Sequence, residues 1–335
     1  MATGRAFLIS AVSLSLAACS GRQSSLDPQG PYAQQIANLF WAFLAVCALI
    51  WLAVCVVLSI AVIRRRAARP QPLELAPARE RMMGQLVLSL GGGTGVIVIA
   101  FALISYVAQR NLWAEPNSGM TLRVVGHQWW WEVLYDDPQP ARNFITANEI
   151  HIPVNTLVRV RLETRDVIHS FWVPSLAGKM DQISGHINEQ LLLAARPGIY
   201  RGQCAEFCGQ EHAKMAFSVV ASSPEEFDAW RDGQIRAAAP PEGPERRRGR
   251  HVFESHSCLV CHTIRGTIAG GKFGPDLTHL ASRRSIAAGT APLTAGHLGG
   301  WIADPQHLKP GTQMPPGDLG GADLSALVAY LMGLQ

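Results

Sequence analysis

Charge is scarce in this chain. Asp, Glu, Lys and Arg make up 16% of 335 residues, and two stretches, 36–63 and 82–109, contain none. That is too little for a wholly soluble protein of ordinary composition. Nor is there a basic surplus. The formal charge is +4, which gives no electrostatic footprint for nucleic acid. Cysteine is also sparse, with seven residues. The only Cys-x-x-Cys spacing is Cys258–Cys261, so a zinc site built from two such pairs is excluded.

Each charge-free run exceeds the ~20 residues that cross a bilayer as a helix. Between them lie Arg64-Arg65-Arg66-Ala67-Ala68-Arg69, a Pro-rich stretch, Arg79 and Arg81. A short arginine-rich loop belongs on the cytoplasmic side. Residues 36–109 are therefore expected to form a transmembrane helix hairpin with both outer ends across the membrane. Gly91-Gly92-Gly93 in its second helix suits close approach of a neighbouring helix. Cys47 and Cys55 in the first read as small apolar packing residues. Ahead of the hairpin, Arg5, the apolar run Phe7–Leu16 and Leu16-Ala17-Ala18-Cys19 have the layout of a bacterial lipobox. Residues 1–18 are expected to be a lipoprotein signal peptide, and Cys19 the lipidated mature N-terminus. The expected location is the bacterial inner (cytoplasmic) membrane, two-pass, with everything after the hairpin in the periplasm.

After residue 115 the pattern changes to short strands. Leu122–Val125, Glu149–Pro153 and Val158–Leu162 alternate apolar with polar, and Gln190–Ala194 and Phe217–Val220 are further candidates. Turn signals at Asp137-Pro138, Pro153-Val154-Asn155 and Arg196-Pro197-Gly198 separate them. This spacing predicts an all-β sandwich or barrel of about a hundred residues. Ser223-Pro224-Glu225-Glu226 is a capping box that starts a short helix ending near Gly233. Residues 237–250, rich in Ala, Pro, Gly and Arg, read as a linker, with Arg246-Arg247-Arg248 solvated. Residues 249–335 form a last small domain, closed by an amphipathic helix with Leu324, Leu327, Val328 and Leu331 on one face.

The residues that carry chemistry lie in these last two parts. Cys204-Ala205-Glu206-Phe207-Cys208-Gly209-Gln210-Glu211-His212-Ala213-Lys214-Met215 brings two thiols, an imidazole and a thioether into twelve residues. Soft sulfur ligands with imidazole favour copper over magnesium, calcium or manganese. The two cysteines alone also suit a local disulfide in an oxidising compartment, but a disulfide has no use for His212 and Met215. A further imidazole has to come from another loop, and His169 in Asp166-Val167-Ile168-His169-Ser170-Phe171-Trp172-Val173-Pro174 is the candidate. Downstream, Cys258-Leu259-Val260-Cys261-His262 is the C-x-x-C-H pattern of covalent c-type haem attachment. His256, His279 and His297 read as surface residues.

The pattern Cys-x-Glu-x-x-Cys-Gly-x-x-His-x-x-Met, with the upstream Val-Ile-His-Ser-Phe-Trp-Val-Pro, resembles subunit II of the haem-copper cytochrome c oxidases. The resemblance runs from about Ile36 to Ala221. It implies a cupredoxin-type β-barrel over 115–222 that holds a dinuclear mixed-valence copper centre. Cys204 and Cys208 would bridge both metals, and His169 and His212 would be terminal ligands. Met215 would bind one copper and the Glu206 carbonyl the other. The Glu206 side chain would also reach a magnesium or manganese ion at the subunit I interface. In Gly126-His127-Gln128-Trp129-Trp130-Trp131, Trp129 matches the tryptophan implicated in electron entry; packing is the ordinary use of such a residue. The Glu-x-x-Trp-Thr-x-x-Pro sequence of many members is missing, because Glu80-Arg81-Met82-Met83 lacks the tryptophan, threonine and proline. Glu80 is therefore left out of the site.

Residues 249–335 resemble a small class I cytochrome c, on Cys-x-x-Cys-His, Gly274-Pro275-Asp276-Leu277 and Gly311-Thr312-Gln313-Met314-Pro315-Pro316. Cys258 and Cys261 would form the haem thioethers, and His262 and Met314 would ligate the iron. Met332 is the competitor for the last position. The whole is expected to be multidomain: a two-helix transmembrane hairpin, a cupredoxin-type all-β barrel, a short helix and linker over 223–248, and a C-terminal all-α cytochrome c domain. The resemblance implies the electron-input subunit of a caa-type respiratory oxidase. It would pass electrons from cytochrome c or another donor to an oxygen-reducing subunit I, with subunit III as a further partner. The alternatives are the electron-input subunit of a nitric-oxide reductase and a membrane-anchored electron-carrier lipoprotein.

Overall fold

The structure is a computed structural model that describes residue 21 and residues 23–67, 77–112 and 119–335. The expected signal peptide, Cys19 and residues 68–76 of the arginine-rich loop lie outside the described residues.

Two long helices come first, α1 (Pro31–Ala67) and α2 (Pro77–Leu112). Their most apolar windows have mean hydropathies of 3.0 and 2.3 and are not buried inside the structure. Large side chains are exposed on all sides, including Trp51 at 65% and Leu88 at 77%. A helix that is apolar all round needs either a protein core or hydrocarbon around it, and the described residues place no core around these. Length and composition fit a two-pass membrane protein. Phe43 and Phe101 meet edge to face, with centroids 5.6 Å apart. Among the described residues beyond the helix's own backbone, none lies within 4 Å of where Cβ atoms on Gly91, Gly92 or Gly93 would sit, so this stretch of α2 presents an open face.

The β domain has ten strands: β1 (Met120–His127), β2 (Trp130–Tyr135), β3 (Phe144–Ala147), β4 (Glu149–Pro153), β5 (Val158–Thr164), β6 (His169–Trp172), β7 (Lys179–Gln182), β8 (Asn188–Leu192), β9 (Gly198–Cys204) and β10 (Ala216–Ser222). They form two five-stranded sheets, ordered β3-β2-β1-β5-β8 and β4-β10-β9-β6-β7. Alternation is the reason these segments work as strands. In β2 it buries Trp131, Val133 and Tyr135, and in β5 Val158, Val160 and Leu162. The inward faces of the two sheets share one core with Ile150, Ile152, Phe171, Phe217 and Val219. Each such aliphatic side chain contributes about 1.5–3 kcal/mol by leaving water. Trp131 is fully buried between Phe171 and Phe217, at centroid distances of 6.0 and 5.1 Å. The chain ahead of α1 also joins this domain, where Gln29 N donates to Ser175 O at 2.7 Å and Ala195 N to Gln29 O at 2.9 Å.

α3 (Pro224–Ile235) begins with the expected capping box, in which Ser223 Oγ accepts from Glu226 N at 3.2 Å and Glu226 Oε2 from Ser223 N at 3.1 Å. The expected linker is shorter than its composition suggests. α4 (Gly243–Ser255) takes up residues 243–248 of that stretch as helix. Pro244 at the first turn and Glu245 after it favour helix initiation, and arginine is a good helix former; the Ala-Pro-Gly-Arg composition hid both signals. Arg246, Arg247 and Arg248 are exposed, and Arg248 pairs with Asp323 at 2.9 Å.

The last domain continues with α5 (Cys258–Cys261), α6 (Ala295–Ala303), α7 (Pro305–Leu308) and α8 (Gly321–Leu331). α4 and α8 pack through Val252 and Phe253 against Leu327, Tyr330 and Leu331. His279, expected at the surface, is 6% exposed. Its ring nitrogens face Gln335 O at 2.8 Å and Arg236 O at 3.0 Å, tying the C-terminus to the short link after α3.

Candidate metal centre and haem site

The strand pairing assembles the first site. β6 runs antiparallel to β9 with Phe171 opposite Cys204, which brings His169, at the head of β6, beside the end of β9. After Cys204 the chain loops through Cys208 and a tight turn at His212–Lys214, then enters β10 just after Met215. Six expected donors meet at this corner. Cys204 Sγ lies 3.8 Å from Cys208 Sγ, 3.8 Å from His169 Nδ1 and 3.2 Å from the Glu206 carbonyl oxygen. Cys208 Sγ lies 3.6 Å from His212 Nδ1 and 3.8 Å from Met215 Sδ. A disulfide needs a bond of about 2.05 Å, so the cysteines are free thiols. His169, Cys204, Cys208 and Met215 are all buried. Two sulfurs, two imidazole nitrogens, a thioether and a carbonyl, all turned inward, make a donor set that fits copper.

Charge at the site is shared unevenly. The hydrogen bond from Cys208 holds the Cys204 thiol down to about 3, against the upward push of burial and with help from His169. The same bond, then burial, pushes Cys208 up. The shared contact thus favours ionisation of Cys204 over Cys208. Burial lowers His169, but its bonds to Asp166 and Cys204 outweigh that and raise it. Burial raises Asp166, but bonds from His169 and from the Gln128 and Val167 amides hold it below the usual carboxylate range.

Three residues around the donors had no signal of their own in the sequence. Asp166 Oδ1 lies 2.8 Å from His169 Nε2, which leaves Nδ1 for the cluster. A Cβ on Gly126 would come within 2.7 Å of the His169 ring and 3.0 Å of Gln182 Oε1. Gln182, wholly buried, donates to Val124 O at 2.9 Å. Trp129 is 9% exposed and lies directly against the cluster, its Nε1 donating to Cys208 O at 3.0 Å. The Glu206 carboxylate pairs with Lys179 Nζ at 3.5 Å.

The second site is built on α5. Its single turn presents Cys258 and Cys261, both free thiols, with His262 at its end. His262 Nδ1 donates to Pro275 O at 2.8 Å, so Nε2 is the nitrogen left for a ligand. Burial lowers the His262 pKa, against the raising effect of that bond, a direction that favours the neutral ring a metal ligand needs. A Cβ on Gly274 would lie 2.6 Å from His262 Cε1, so glycine here lets the chain run flat against the ring. Met314 and Met332 both pack, half-buried, against the same core. Two thiols and one neutral imidazole on a helical turn beside an apolar core fit a covalent haem.

The comparisons with known proteins follow the same division. The profile described as cytochrome c oxidase subunit II, periplasmic domain, matches residues 138–222, and the cytochrome c profile matches residues 247–335. Cytochrome c oxidase subunit 2 of Alkalihalophilus pseudofirmus is 34% identical over 98% of this chain and 96% of its own length. The chain belongs to the cytochrome c oxidase subunit 2 family. Subunit 2 of Bacillus sp. PS3 is 30% identical over 75% of this chain and 72% of its own. Among solved structures, the periplasmic domain of subunit II of Bradyrhizobium japonicum cytochrome oxidase matches at 31% identity and a TM-score of 0.34, covering 36% of this chain and 95% of that one.

As a subunit 2 with a cytochrome c domain, the chain is a component of a haem-copper oxidase complex, and subunit 2 implies a subunit I beside it. Its ten-strand domain is the cupredoxin-like part and its last domain the helical cytochrome c. The two profiles imply copper and haem c.

Proposed function

We propose that this subunit 2 is the electron-input arm of a caa-type oxidase, taking electrons from cytochrome c or another donor and delivering them to subunit I, with subunit III alongside. The observation that carries the reading is the convergence of His169, Cys204, Cys208, His212, Met215 and the Glu206 carbonyl at one buried corner. A c-type haem and a dinuclear copper centre supply one-electron redox chemistry when bound.

The chain's own residues orient and shield those groups. Cys258 and Cys261 offer the thioether sulfurs, and Pro275 O fixes which nitrogen of His262 is free. Met314, in the loop after Gly311, would be the second iron ligand beside His262; Met332, at the end of α8, is assigned to packing. His169 and His212 each turn Nδ1 to a thiol, and Asp166 holds the other edge of His169. Trp129, bonded to Cys208 O and lying against the cluster, is assigned to electron entry. The Glu206 side chain is assigned to a magnesium or manganese ion at the subunit I boundary; in this chain alone it rests on Lys179. Cys19 is assigned as the lipidated N-terminus. The membrane is assigned as the bacterial inner membrane, with both cofactor domains on the periplasmic side of an arginine-rich cytoplasmic loop.

Purification in mild detergent tests the reading. The expected result is co-purification with a large polytopic haem-copper subunit and cyanide-sensitive oxygen consumption. Nitric oxide turnover without oxygen turnover replaces the oxidase with a reductase. Isolation of the chain alone, with both cofactors and no partner, leaves a membrane-anchored carrier.

A further inference from the structure

Among the described residues, Lys309 is the most deeply buried lysine or arginine, at 2% exposed. It follows α7, at the head of the loop that leads through Gly311 to Met314. Its Nζ leaves the cytochrome domain and donates to two carbonyls of the copper domain, Trp129 O at 2.7 Å and Lys214 O at 2.8 Å. A third bond, to Ala287 O at 3.2 Å, stays within its own domain. Both foreign carbonyls belong to the copper corner. Trp129 is the residue whose indole holds Cys208 O, and Lys214 immediately precedes Met215.

The contact is returned from the copper domain. Lys214 Nζ donates to Leu308 O at 3.0 Å, and Ala216 N to Ala288 O at 3.0 Å. Glu211, 5% exposed, pairs with Lys214 at 3.5 Å and supplies negative charge near Lys309. Holding a lysine still costs up to about 2 kcal/mol of rotamer entropy, and burying its charge costs several more unless it is fully bonded. Packing alone would be met by leucine or methionine without that cost. Three directed bonds add something packing does not, a fixed position across the boundary.

We infer that Lys309 is a positioning residue for electron transfer, fixing the loop that carries Met314 against Trp129 and the His212–Met215 turn so that the two sites keep one separation. The inference rests on the function proposed above. Electron transfer between fixed sites falls steeply with distance, and a docked pair needs no search before each event.

The test uses the full chain in detergent, loaded with haem and copper, with rapid photoreduction of the haem and optical detection at the copper. In wild type the transfer is expected to be independent of glycerol viscosity. In Lys309→Met it is expected to slow by about tenfold or more, as misplacement does elsewhere, and to become viscosity-dependent, while both cofactor spectra stay unchanged. Lys309→Arg, which keeps charge and donors, is expected to recover part of the rate. Wild-type rate and viscosity independence in Lys309→Met, with both spectra intact, overturns the inference.

If Lys309→Met does not fold, acetic anhydride on the wild-type chain decides. The lysines are Lys179, Lys214, Lys272 and Lys309, and Lys179 and Lys272 are exposed. Protection of Lys309 alongside labelled Lys179 and Lys272 supports the anchor, and equal labelling overturns it. Absence of haem or copper spectra from wild type is a separate failure, that of the functional reading, and the labelling result does not depend on either cofactor.

Discussion

Asp166 Oδ1 lies 2.8 Å from His169 Nε2, and His169 Nδ1 lies 3.8 Å from Cys204 Sγ. One carboxylate thus sets which edge of the imidazole faces the thiols. Asp166 is itself fixed, because it also accepts from Gln128 N at 2.7 Å and Val167 N at 2.8 Å. Such an outer partner orients a ligand and raises its basicity. Asp166→Asn keeps the shape and removes the charge. Copper retention is expected to weaken by about 10–100-fold, read as the chelator concentration that bleaches the copper spectrum. The haem spectrum and the far-ultraviolet circular dichroism are expected to stay the same. Unchanged chelator resistance would remove Asp166 from the site.

What the sequence made legible here was mostly chemistry at short range. Cys204, Cys208, His212 and Met215 fall within twelve residues, so one loop declares most of the donor set. His169 was readable because an imidazole was still needed and a strand end offered one. Asp166, Gly126 and Gln182 were not, since their roles arise only when β1, β6 and β7 come together around the His169 ring. The alternating strands β1, β4 and β5 could be read from period, and β8 and β10 from short apolar runs between turn signals. β6, β7 and β9 could not, because β6 is buried along nearly its whole length and β7 is largely polar. Lys309 carries no local signal in the sequence. Its burial depends on a carbonyl 180 residues away, and no local pattern announces such a partner.

The two methionines of the cytochrome domain differ in setting. Met314 sits in an extended loop, whereas Met332 closes α8 with its amide bonded to Val328 O at 2.9 Å. A side chain carried by a loop can reach across a flat cofactor, and one at a helix end is committed to the core. Met314→Ala is expected to remove the thioether–iron charge-transfer band while haem stays covalently attached. Met332→Ala is expected to keep that band and to lower stability by about 2–5 kcal/mol at most, the range for buried methionine truncation. Loss of the band in Met332→Ala alone reverses the assignment.

Lys309 also gives the chain a pH signature. Burial pushes its pKa down to about 7, against the raising effect of Glu211 and Cys208, with Lys214 pushing the same way as burial. In the unfolded chain it titrates near an ordinary lysine, ~10.4. Between these values the unfolded state binds more protons, so this group's contribution to stability rises with pH. The cost of its charge is fully present below about pH 7 and is relieved above it. Between pH 7 and 9 the gain is about 2 kcal/mol by linkage. Thermal unfolding at both pH values, in wild type and Lys309→Met, isolates this from other titrating groups. The wild-type rise is expected to exceed the variant's by about that amount, and identical pH slopes would show that Lys309 does not titrate in this range.

Two glycines each stand against one ligand ring, and they allow the two sites to be perturbed separately. At Gly126 a methyl group would lie 2.7 Å from His169 Cδ2 and 3.0 Å from Gln182 Oε1. At Gly274 it would lie 2.6 Å from His262 Cε1. Both distances are far inside van der Waals contact, and neither ring can retreat freely: Asp166 holds His169, and Pro275 O holds His262. Overpacking of this kind costs about 1–3 kcal/mol and displaces the nearest side chain. Gly126→Ala is expected to shift or bleach the copper spectrum and leave the haem band unchanged. Gly274→Ala is expected to disturb the axial ligation of the haem, seen as loss of its low-spin spectrum, while the copper spectrum persists. The crossed design guards against general unfolding, which would take both signals together. If Gly126→Ala leaves the copper spectrum intact, His169 is not confined by β1. If Gly274→Ala leaves the haem low-spin, His262 is not held where the fold puts it.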